Sequence, residues 1–351
     1  MAASPSNTLR VKVLNVGQGD AIVTLLPGCR RALLIDACDG DRVLKVLEDE
    51  AVEEVVIFLT HSDRDHVAGI QYVIQNFSGQ FVAFFYNRDR LEKSKQYVSL
   101  IRALASSTRD VPPDANVWSD DFNTGLNFNN RFSSIASAPV TLEVLHPEHS
   151  EQSSLLGTST NEASGVMRLT MAIGGGQERS ILFAGDVQLT GVSCMMNRLQ
   201  DRHLAADVLK YPHHGAWPEE YPGISQFPSM SRSTMSTFLK AVNPEIVILS
   251  VGADNVHNHV RPEVFAALAN LADEHNRLRR LLCTQVTSAC TGGKAPVPPT
   301  ECAGDIEVQL GPDIPNGLAI MPPGAEHAVA VERAVTPGCK FLSGRGKGLE
   351  W

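Results

Sequence analysis

The fold class is indicated most clearly by one segment, Val55-Val56-Ile57-Phe58-Leu59-Thr60-His61-Ser62-Asp63-Arg64-Asp65-His66. It opens on a short apolar run rich in β-branched residues, which predicts a buried strand. Apolar residues then return with helical spacing, at Val67, Ile70, Val73, Ile74 and Phe77. The histidines and aspartates therefore lie on a loop between a strand and a helix, where α/β proteins commonly place their chemistry.

This loop is dense in groups that bind metal ions. Imidazole and carboxylate groups together suit divalent ions such as zinc, manganese or iron. His61, Asp63, Asp65 and His66 are more ligands than one tetrahedral ion with an open position can use, so the loop predicts two adjacent ions. The alternative is a solvated polar turn with a helix cap, which the buried flanks and the concentration of ligands disfavour.

Length and composition predict a globular protein with a sizeable core, because the chain has 351 residues and is 43% hydrophobic. Its net charge of −9 argues against a protein that coats nucleic acid non-specifically, but not against a local site where metal ions meet phosphates. We find no linker that separates two cores. The sequence predicts one domain over 1–351, with insertions at about 106–138 and 216–232.

The termini and cysteines give expectations about location. The first residues lack a basic region followed by an apolar run, and no stretch of about 18 apolar residues is present, so we expect no secretory signal and no membrane span. The odd count of 7 cysteines favours a reducing cytoplasm. Cys283, Cys290, Cys302 and Cys339 cluster late in the chain without a Cys-x-x-Cys pair, which favours buried thiols over a structural zinc site.

Several predicted strands, including the strand before the metal loop, end at a residue that can bind a metal ion. These residues are Asp36, His61, His146, Asp186 and His213. Strands of one sheet can bring their ends to one edge, so residues far apart in sequence can converge there.

Eight segments, in order, resemble the metallo-β-lactamase superfamily and within it the ComEC-like hydrolase branch. They are residues 15–20, 34–36, 60–69, 145–147, 182–186, 207–215, 244–252 and 259–262. The most diagnostic are the His-x-Asp-x-Asp-His run and the Gly-Asp that precedes His-His-Gly. The resemblance implies an α/β fold, a four-layer αββα sandwich with the site at one edge of two sheets. The sequence departs from the pattern at Asn15, Ala216 and Val260, and it has no channel-forming helices.

The spacing and the resemblance together assign metal ligands. His61 and Asp63 are two residues apart, so both can point to one side of an extended loop and hold one ion, with Asp65 and His66 on the second. Asp186 resembles the family's bridging carboxylate. Two assignments stay open. His213 or His214 closes the second site, with a slight preference for His213, and His146 either joins the first site or hydrogen bonds to backbone.

Other residues are expected to support the chemistry. Asp36 is expected to orient a histidine N–H, and Asp20 to buttress the turn at Gly17–Gly19 or to cap the edge of the core. Asp65 and His259 are the predicted catalytic residues, since His259 resembles the family's late histidine, placed to touch a phosphate or protonate a leaving group. For Lys210 and Arg64 a solvated position is favoured over contact with substrate.

The sequence thus predicts a soluble, cytoplasmic hydrolase with two divalent metal ions, zinc by default and manganese as the alternative. Metal-activated water would cleave a phosphodiester bond in a phosphate-containing small molecule or a single-stranded nucleic acid. One alternative is hydrolysis of a carboxylic ester, lactone or thioester. Another is a catalytically silent binding or regulatory module of the same fold.

Overall fold

The computed structural model describes residues 7–86, 139–148, 159–199, 204–217, 228–275, 277–291, 294, 296 and 300–321. The inward spacing of Val98, Ile101 and Leu104 predicts a helix over 91–104, which lies outside this part of the chain. The insertion at 106–138 and residues 218–227 of the other predicted insertion lie outside it too. Cys339 lies outside it as well.

The described residues form strands and helices that alternate along the chain. The strands are β1 Leu9–Val13, β2 Ala21–Leu25, β3 Arg31–Ala37, β4 Glu54–Leu59, β5 Gln80–Tyr86, β6 Val140–His146, β7 Val166–Gly174, β8 Gln177–Phe183, β9 Val208–Lys210, β10 Ile246–Leu249, β11 Arg280–Cys283, β12 Ile306–Leu310 and β13 Leu318–Met321. The helices are α1 Gly40–Asp49, α2 Arg64–Val67, α3 Ile70–Asn76, α4 Leu189–Arg198, α5 Pro228–Val242 and α6 Pro262–His275.

The strands build two mixed sheets. The first has 7 strands in the order β13-β12-β1-β2-β3-β4-β5, and the second has 6 in the order β11-β10-β9-β8-β7-β6. In the first sheet β3, β4 and β5 are parallel, and in the second β8, β9, β10 and β11 are parallel. The remaining neighbours are antiparallel.

Three apolar clusters define the layers. One lies between the two sheets and joins Phe58 of β4 to Phe183 of β8. A second packs α1 and α3 on the outer face of the first sheet, and a third packs α4, α5 and α6 on the outer face of the second. This arrangement confirms the predicted four-layer αββα sandwich.

The run Val55–Leu59 is apolar throughout because β4 is buried on both faces. Val56 and Phe58 point into the core between the sheets, whereas Val55 and Ile57 face the helices of the outer layer. Phe58 stacks on Phe85 of the neighbouring strand, with 5.0 Å between ring centroids. Burial of one such side chain contributes about 1.5–3 kcal/mol, so this strand anchors the loop that follows it.

The helical pattern after the metal loop is interrupted at Gly69, which separates α2 from α3. A Cβ at Gly69 would lie 2.2 Å from the backbone nitrogen of Gly40, at the start of α1. The Gly69 N–H donates to the carbonyl oxygen of Ala37, at 2.7 Å. The break therefore comes from a close approach between two helices that only glycine permits.

The sequence reading missed some element boundaries. Helix α5 begins at Pro228 rather than at Ser233, inside the insertion predicted for 216–232. Strands β11 and β13 were not predicted. Each has only four residues and lies at the edge of a sheet, so neither carries a long apolar pattern.

The sheets bring the ends of five strands to one edge. The loops after β4, β8 and β9 carry His61–His66, Asp186 and His213–His214, with Asp36 near the end of β3. The end of β10 adds Ser250. Because these ends belong to both sheets, the edge assembles a site from residues more than a hundred positions apart.

Candidate metal centre

Four side chains from three loops converge at this edge and form what we call the inner group: Asp65, His66, Asp186 and His214. His66 Nε2 lies 3.2 Å from both His214 Nε2 and Asp186 Oδ1. His214 Nε2 lies 3.4 Å from Asp186 Oδ2 and 3.5 Å from Asp65 Oδ2. Ligand atoms about 2.1 Å from a tetrahedral ion are about 3.4 Å apart, so these spacings fit one divalent ion.

A looser arrangement surrounds His61, and we call His61, Asp63 and Asp186 the outer group. His61 Nε2 lies 3.7 Å from Asp63 Oδ2 and 3.9 Å from Asp186 Oδ2. His61 is fully buried, and its Nε2 has no hydrogen-bond partner among the described residues. A buried nitrogen that lacks a donor is costly unless it binds something, so the outer group also suits a cation.

Asp186 belongs to both groups, since its two oxygens face His66 on one side and His214 and His61 on the other. It is almost fully buried, and its backbone N–H donates to Ser164 Oγ at 2.9 Å. A carboxylate can offer one oxygen to each of two ions, so this position suits the bridging role that the sequence predicts.

Each inner histidine is oriented through its other ring nitrogen. His66 Nδ1 lies 2.7 Å from Asp36 Oδ2, and His214 Nδ1 lies 2.9 Å from the carbonyl oxygen of Ser250. Both acceptors fix a hydrogen on Nδ1, so that Nε2 of each ring is the nitrogen that faces the inner group. The position of Asp36 agrees with its expected role of orienting a histidine N–H.

Asp36 is itself held in place by the start of the metal loop. Its Oδ1 accepts from the Thr60 N–H at 2.8 Å, and its Oδ2 accepts from Thr60 Oγ1 at 2.6 Å. The backbone of Asp36 has a φ of +55°, which non-glycine residues adopt rarely and aspartate more readily than most. This conformation turns the carboxylate beneath the loop.

A buried ion pair lies behind the inner group. Lys210 Nζ donates to Asp20 Oδ2 at 2.5 Å, and each side chain is 1% exposed. The prediction that Lys210 is solvated was therefore wrong. Asp20 Oδ1 lies 3.7 Å from His214 Nδ1, and the Asp20 N–H donates to the Asp65 carbonyl oxygen. Asp20 thus supports the metal loop from below as well as the turn.

His213 lies beside the inner group rather than in it. Its Nε2 is 3.8 Å from Asp186 Oδ2 and 3.5 Å from Asn161 Nδ2, while its Nδ1 is 3.1 Å from Gln188 Nε2. Its side chain is 23% exposed, whereas His214 is fully buried. The geometry therefore favours His214 over His213 as a ligand of the inner group.

His146 is turned away from both groups. It is fully buried at the end of β6, and its Nε2 lies 2.8 Å from the carbonyl oxygen of Glu162. Within the described residues His146 is in neither cluster of potential ligands. The contact is the hydrogen bond to backbone that the sequence analysis gave as the alternative to metal binding.

The predicted catalytic residues lie at the mouth of the site. The side chain of Asp65 is 35% exposed. His259 is 7% exposed, and its ring centroid is 5.3 Å from that of His213. Gln18 Nε2 approaches His259 Nδ1 at 3.5 Å, from the turn after β1.

The polar composition of residues 148–164 predicts only a loop, yet its described part, 159–164, contributes to the site. Thr160 Oγ1 donates to Asp63 Oδ1 at 3.0 Å, and Ser164 Oγ lies 3.3 Å from His61 Nδ1. Asn161 approaches His213. The signal was available, because these polar residues immediately precede β7, and the start of an antiparallel strand meets the same edge as the end of its neighbour.

The charges of the site favour a cation. Burial, reinforced by the nearby His66, lowers the pKa of His61 to about 4, so its imidazole is neutral at pH 7. Burial opposes ionisation of Asp186, but His214 and His66 outweigh it and hold its pKa well below the usual range. Burial also opposes a charge on His214, yet Asp186 and Asp20 raise its pKa to about 9. The carboxylates thus stabilise positive charge at the position where an ion would lie.

No protein-family model matches the chain. The chain is 24% identical over 280 residues to ComE operon protein 3 of Bacillus subtilis (strain 168), a match that covers 74% of this chain. It spans only 30% of the length of that relative.

Solved structures with a similar fold include the metallo-β-lactamase fold protein YhfI from Bacillus subtilis. It has 15% sequence identity and a TM-score of 0.41, with 79% of this chain and 96% of that chain covered. Human tRNase Z, short form, has 14% identity and a TM-score of 0.35, with 69% and 92% covered.

The ComE relative confirms the resemblance to the metallo-β-lactamase superfamily and its ComEC-like branch that the motifs predicted. The sheet order and the layers of the chain itself confirm the expected fold. In the described part of the chain, no helix combines the length and the apolar character needed to cross a membrane.

Proposed function

We propose that this chain is a dinuclear metal-dependent hydrolase of phosphodiester bonds. The observation that carries the proposal is the position of Asp186 between the inner and outer groups, with an oxygen 3.2 Å from His66 Nε2 and another 3.9 Å from His61 Nε2. A carboxylate shared in this way is expected in a site for two ions and serves little purpose in a site for one.

The donor set supports two divalent ions. When bound, such ions lower the pKa of water and stabilise the negative charge that develops on attacking and leaving oxygens. Burial opposes a charge on His66 and on His214, yet Asp186 and its neighbouring carboxylates raise the pKa of both rings. A bound ion would therefore take the place of a proton on each of these rings and leave neutral imidazoles beside ionised carboxylates. Mixed nitrogen and oxygen donors suit zinc, and the carboxylates at Asp63 and Asp65 make manganese the alternative.

The residues around the two groups would have separate roles in metal binding and catalysis. Asp65, His66, Asp186 and His214 would hold the inner ion, and His61, Asp63 and Asp186 would hold the outer one. Asp65 borders the opening, where it can orient the attacking water. The ring centroid of His259 lies 5.3 Å from that of His213, and the ring N–H of His259 can donate a hydrogen bond to the leaving oxygen.

The phosphodiester assignment rests on the sequence pattern. Asp63 stands where lactamase-type enzymes carry histidine, which resembles the ComEC-like branch. Phosphate oxygens are hard ligands that two adjacent cations neutralise well, whereas the acidic chain offers little other positive charge for a large anionic substrate. We therefore propose a small or single-stranded substrate, handled in the cytoplasm by a single-domain protein.

The proposal is tested by assays against bis(p-nitrophenyl) phosphate, single-stranded DNA, cyclic dinucleotides and p-nitrophenyl acetate, with zinc or manganese added after chelation. We expect metal-dependent cleavage of the phosphodiesters and little cleavage of the acetate ester. Preference for the acetate would favour the ester alternative. Bound metal without any hydrolysis would favour a silent binding module.

A further inference from the structure

Three histidines form a row that leads from the metal centre to the surface. The ring centroids of His213 and His259 are 5.3 Å apart, and those of His259 and His257 are 5.6 Å apart. His213 borders Asp186, His259 is nearly buried, and His257 is exposed. The row therefore connects the site of cleavage to solvent along one side.

The orientation of the middle histidine follows from its neighbour Gln18. The Gly252 N–H donates to Gln18 Oε1, which assigns the amide so that Gln18 Nε2 faces His259 Nδ1. His259 Nδ1 is then the acceptor, and the ring hydrogen sits on Nε2. His259 thus presents an N–H donor, the type of group that binds a phosphate oxygen.

The loop that carries this row is braced by one side chain. Asn255 Nδ2 donates to the carbonyl oxygens of Gly252 at 2.8 Å and His259 at 2.7 Å, and Asn255 Oδ1 accepts from the His259 N–H at 2.6 Å. These three bonds close residues 252–259 into a compact arm. A braced arm can present groups to a ligand without a large loss of conformational entropy on binding.

The tip of this arm exposes an apolar residue. Val256 is 85% exposed, the largest exposure among the large hydrophobic side chains that the structure describes as exposed. It is flanked by Asn255, which braces the arm, and by His257, which ends the row. An apolar side chain next to hydrogen-bond donors matches a nucleotide, whose base is flat and apolar on its face and whose phosphate accepts hydrogen bonds.

We propose that residues 252–259 form a binding arm for a single-stranded oligonucleotide that extends beyond the cleaved bond. His259 and His257 donate to successive phosphates on this side of the cleavage site, and Val256 packs against the base that lies between them. This inference rests on the proposed function and adds that the substrate is a chain rather than a lone phosphodiester.

Binding of a fluorescent, cleavage-resistant phosphorothioate oligonucleotide to the metal-loaded protein tests the arm directly. Fluorescence anisotropy should show that His257→Ala raises the Kd about fivefold, the scale of one hydrogen bond. Val256→Ser should raise it about twofold. His275→Ala is the matched control, because His275 is an exposed histidine at the far end of α6, and it should leave the Kd unchanged.

Catalytic measurements on the same variants separate this inference from the proposed function. In His257→Ala the ratio of KM for single-stranded DNA to KM for bis(p-nitrophenyl) phosphate should rise about fivefold. Hydrolysis with an unchanged ratio and an unchanged Kd would overturn the arm and leave the proposed function intact. A raised Kd in a protein that hydrolyses no phosphodiester would support the arm and overturn the proposed function. No oligonucleotide binding by the unaltered protein would overturn the arm.

Discussion

The two halves of the metal centre share Asp186 but differ in how their other residues are held. In the inner group both histidines donate through Nδ1 to a fixed acceptor, the Asp36 carboxylate for His66 and the Ser250 carbonyl for His214. In the outer group the hydrogen-bond partners of His61 among the described residues are the hydroxyls of Thr60 and Ser164, at 3.1 and 3.3 Å. Asp63 is 43% exposed.

Because of this difference, we expect the two halves to bind metal with unequal affinity. Inner ligands are already spaced about 3.2–3.5 Å apart, so an ion would require little rearrangement. Outer ligands are 3.7–3.9 Å apart and must close around an ion. We expect the inner position to bind more tightly and the outer position to exchange more readily.

The largest effect is expected from Asp186→Ala, because both halves depend on this carboxylate. Activity should fall about a thousandfold or more, the scale expected when a group required for the chemistry is removed. The double variant Asp186→Ala with His66→Ala should be no less active than either single variant, because each substitution alone already removes bound metal. Metal analysis after dialysis should find fewer bound ions in each variant, and activity that survived the double substitution would sink the metal mechanism.

Substitutions at the adjacent residues His213 and His214 distinguish a ligand of the inner group from a residue that lies beside it. His214→Ala should remove the inner ion, because His214 Nε2 lies within 3.5 Å of three other ligand atoms. His213→Ala should keep both ions and reduce kcat or raise KM instead. Metal stoichiometry measured on the two variants checks this, and loss of the ion in His213→Ala but not in His214→Ala would reverse our assignment.

The ion pair behind the inner group gives a large effect on stability. Lys210→Met leaves the Asp20 carboxylate buried without its ammonium partner, which should reduce the free energy of unfolding by about 3–5 kcal/mol. The double variant Lys210→Met with Asp20→Leu should regain much of this loss, since neither charge is then buried alone. Chemical denaturation of the metal-free proteins measures both changes, and equal stability of the single and double variants would contradict this account.

The smallest effect should be confined to the outer half. Thr160→Val removes the donor to Asp63 Oδ1 and should weaken the outer ion about tenfold, as the loss of a supporting hydrogen bond commonly does. The matched control is Thr24→Val, a buried threonine in β2 that makes no contact with the site. Titration of each variant with metal should show a weaker second event only in Thr160→Val.

The loop that carries ligands of both the inner and the outer group was predictable from the sequence, because these ligands are contiguous, from His61 to His66. The sequence also placed Asp186 and His213–His214 at strand ends, which the parallel strands of both sheets then bring together. It could not choose between His213 and His214, because adjacent residues point in different directions according to local backbone angles. Here both have positive φ, at 49° and 53°, which no spacing rule anticipates.

Other features depend on packing that spacing does not encode. Lys210 is the last residue of the apolar strand β9, but only the fold shows that its ammonium group pairs with Asp20 behind the inner group. Thr160 and Ser164 contact Asp63 and His61, which are about a hundred residues away in sequence. The sequence around Thr160 and Ser164 therefore predicted only a polar loop. The helix predicted for 91–104 remains a prediction.

We infer that the Asp186 carboxylate joins a tight inner metal site to a weaker outer one. The decisive measurement is a calorimetric titration of the metal-free protein with zinc, with the bound ions counted at each step. We predict two sequential events per chain, the first at least about tenfold tighter, and a first event that persists in Thr160→Val and disappears in His214→Ala. A single bound ion, or two ions of equal affinity that Thr160→Val weakens alike, would contradict this inference.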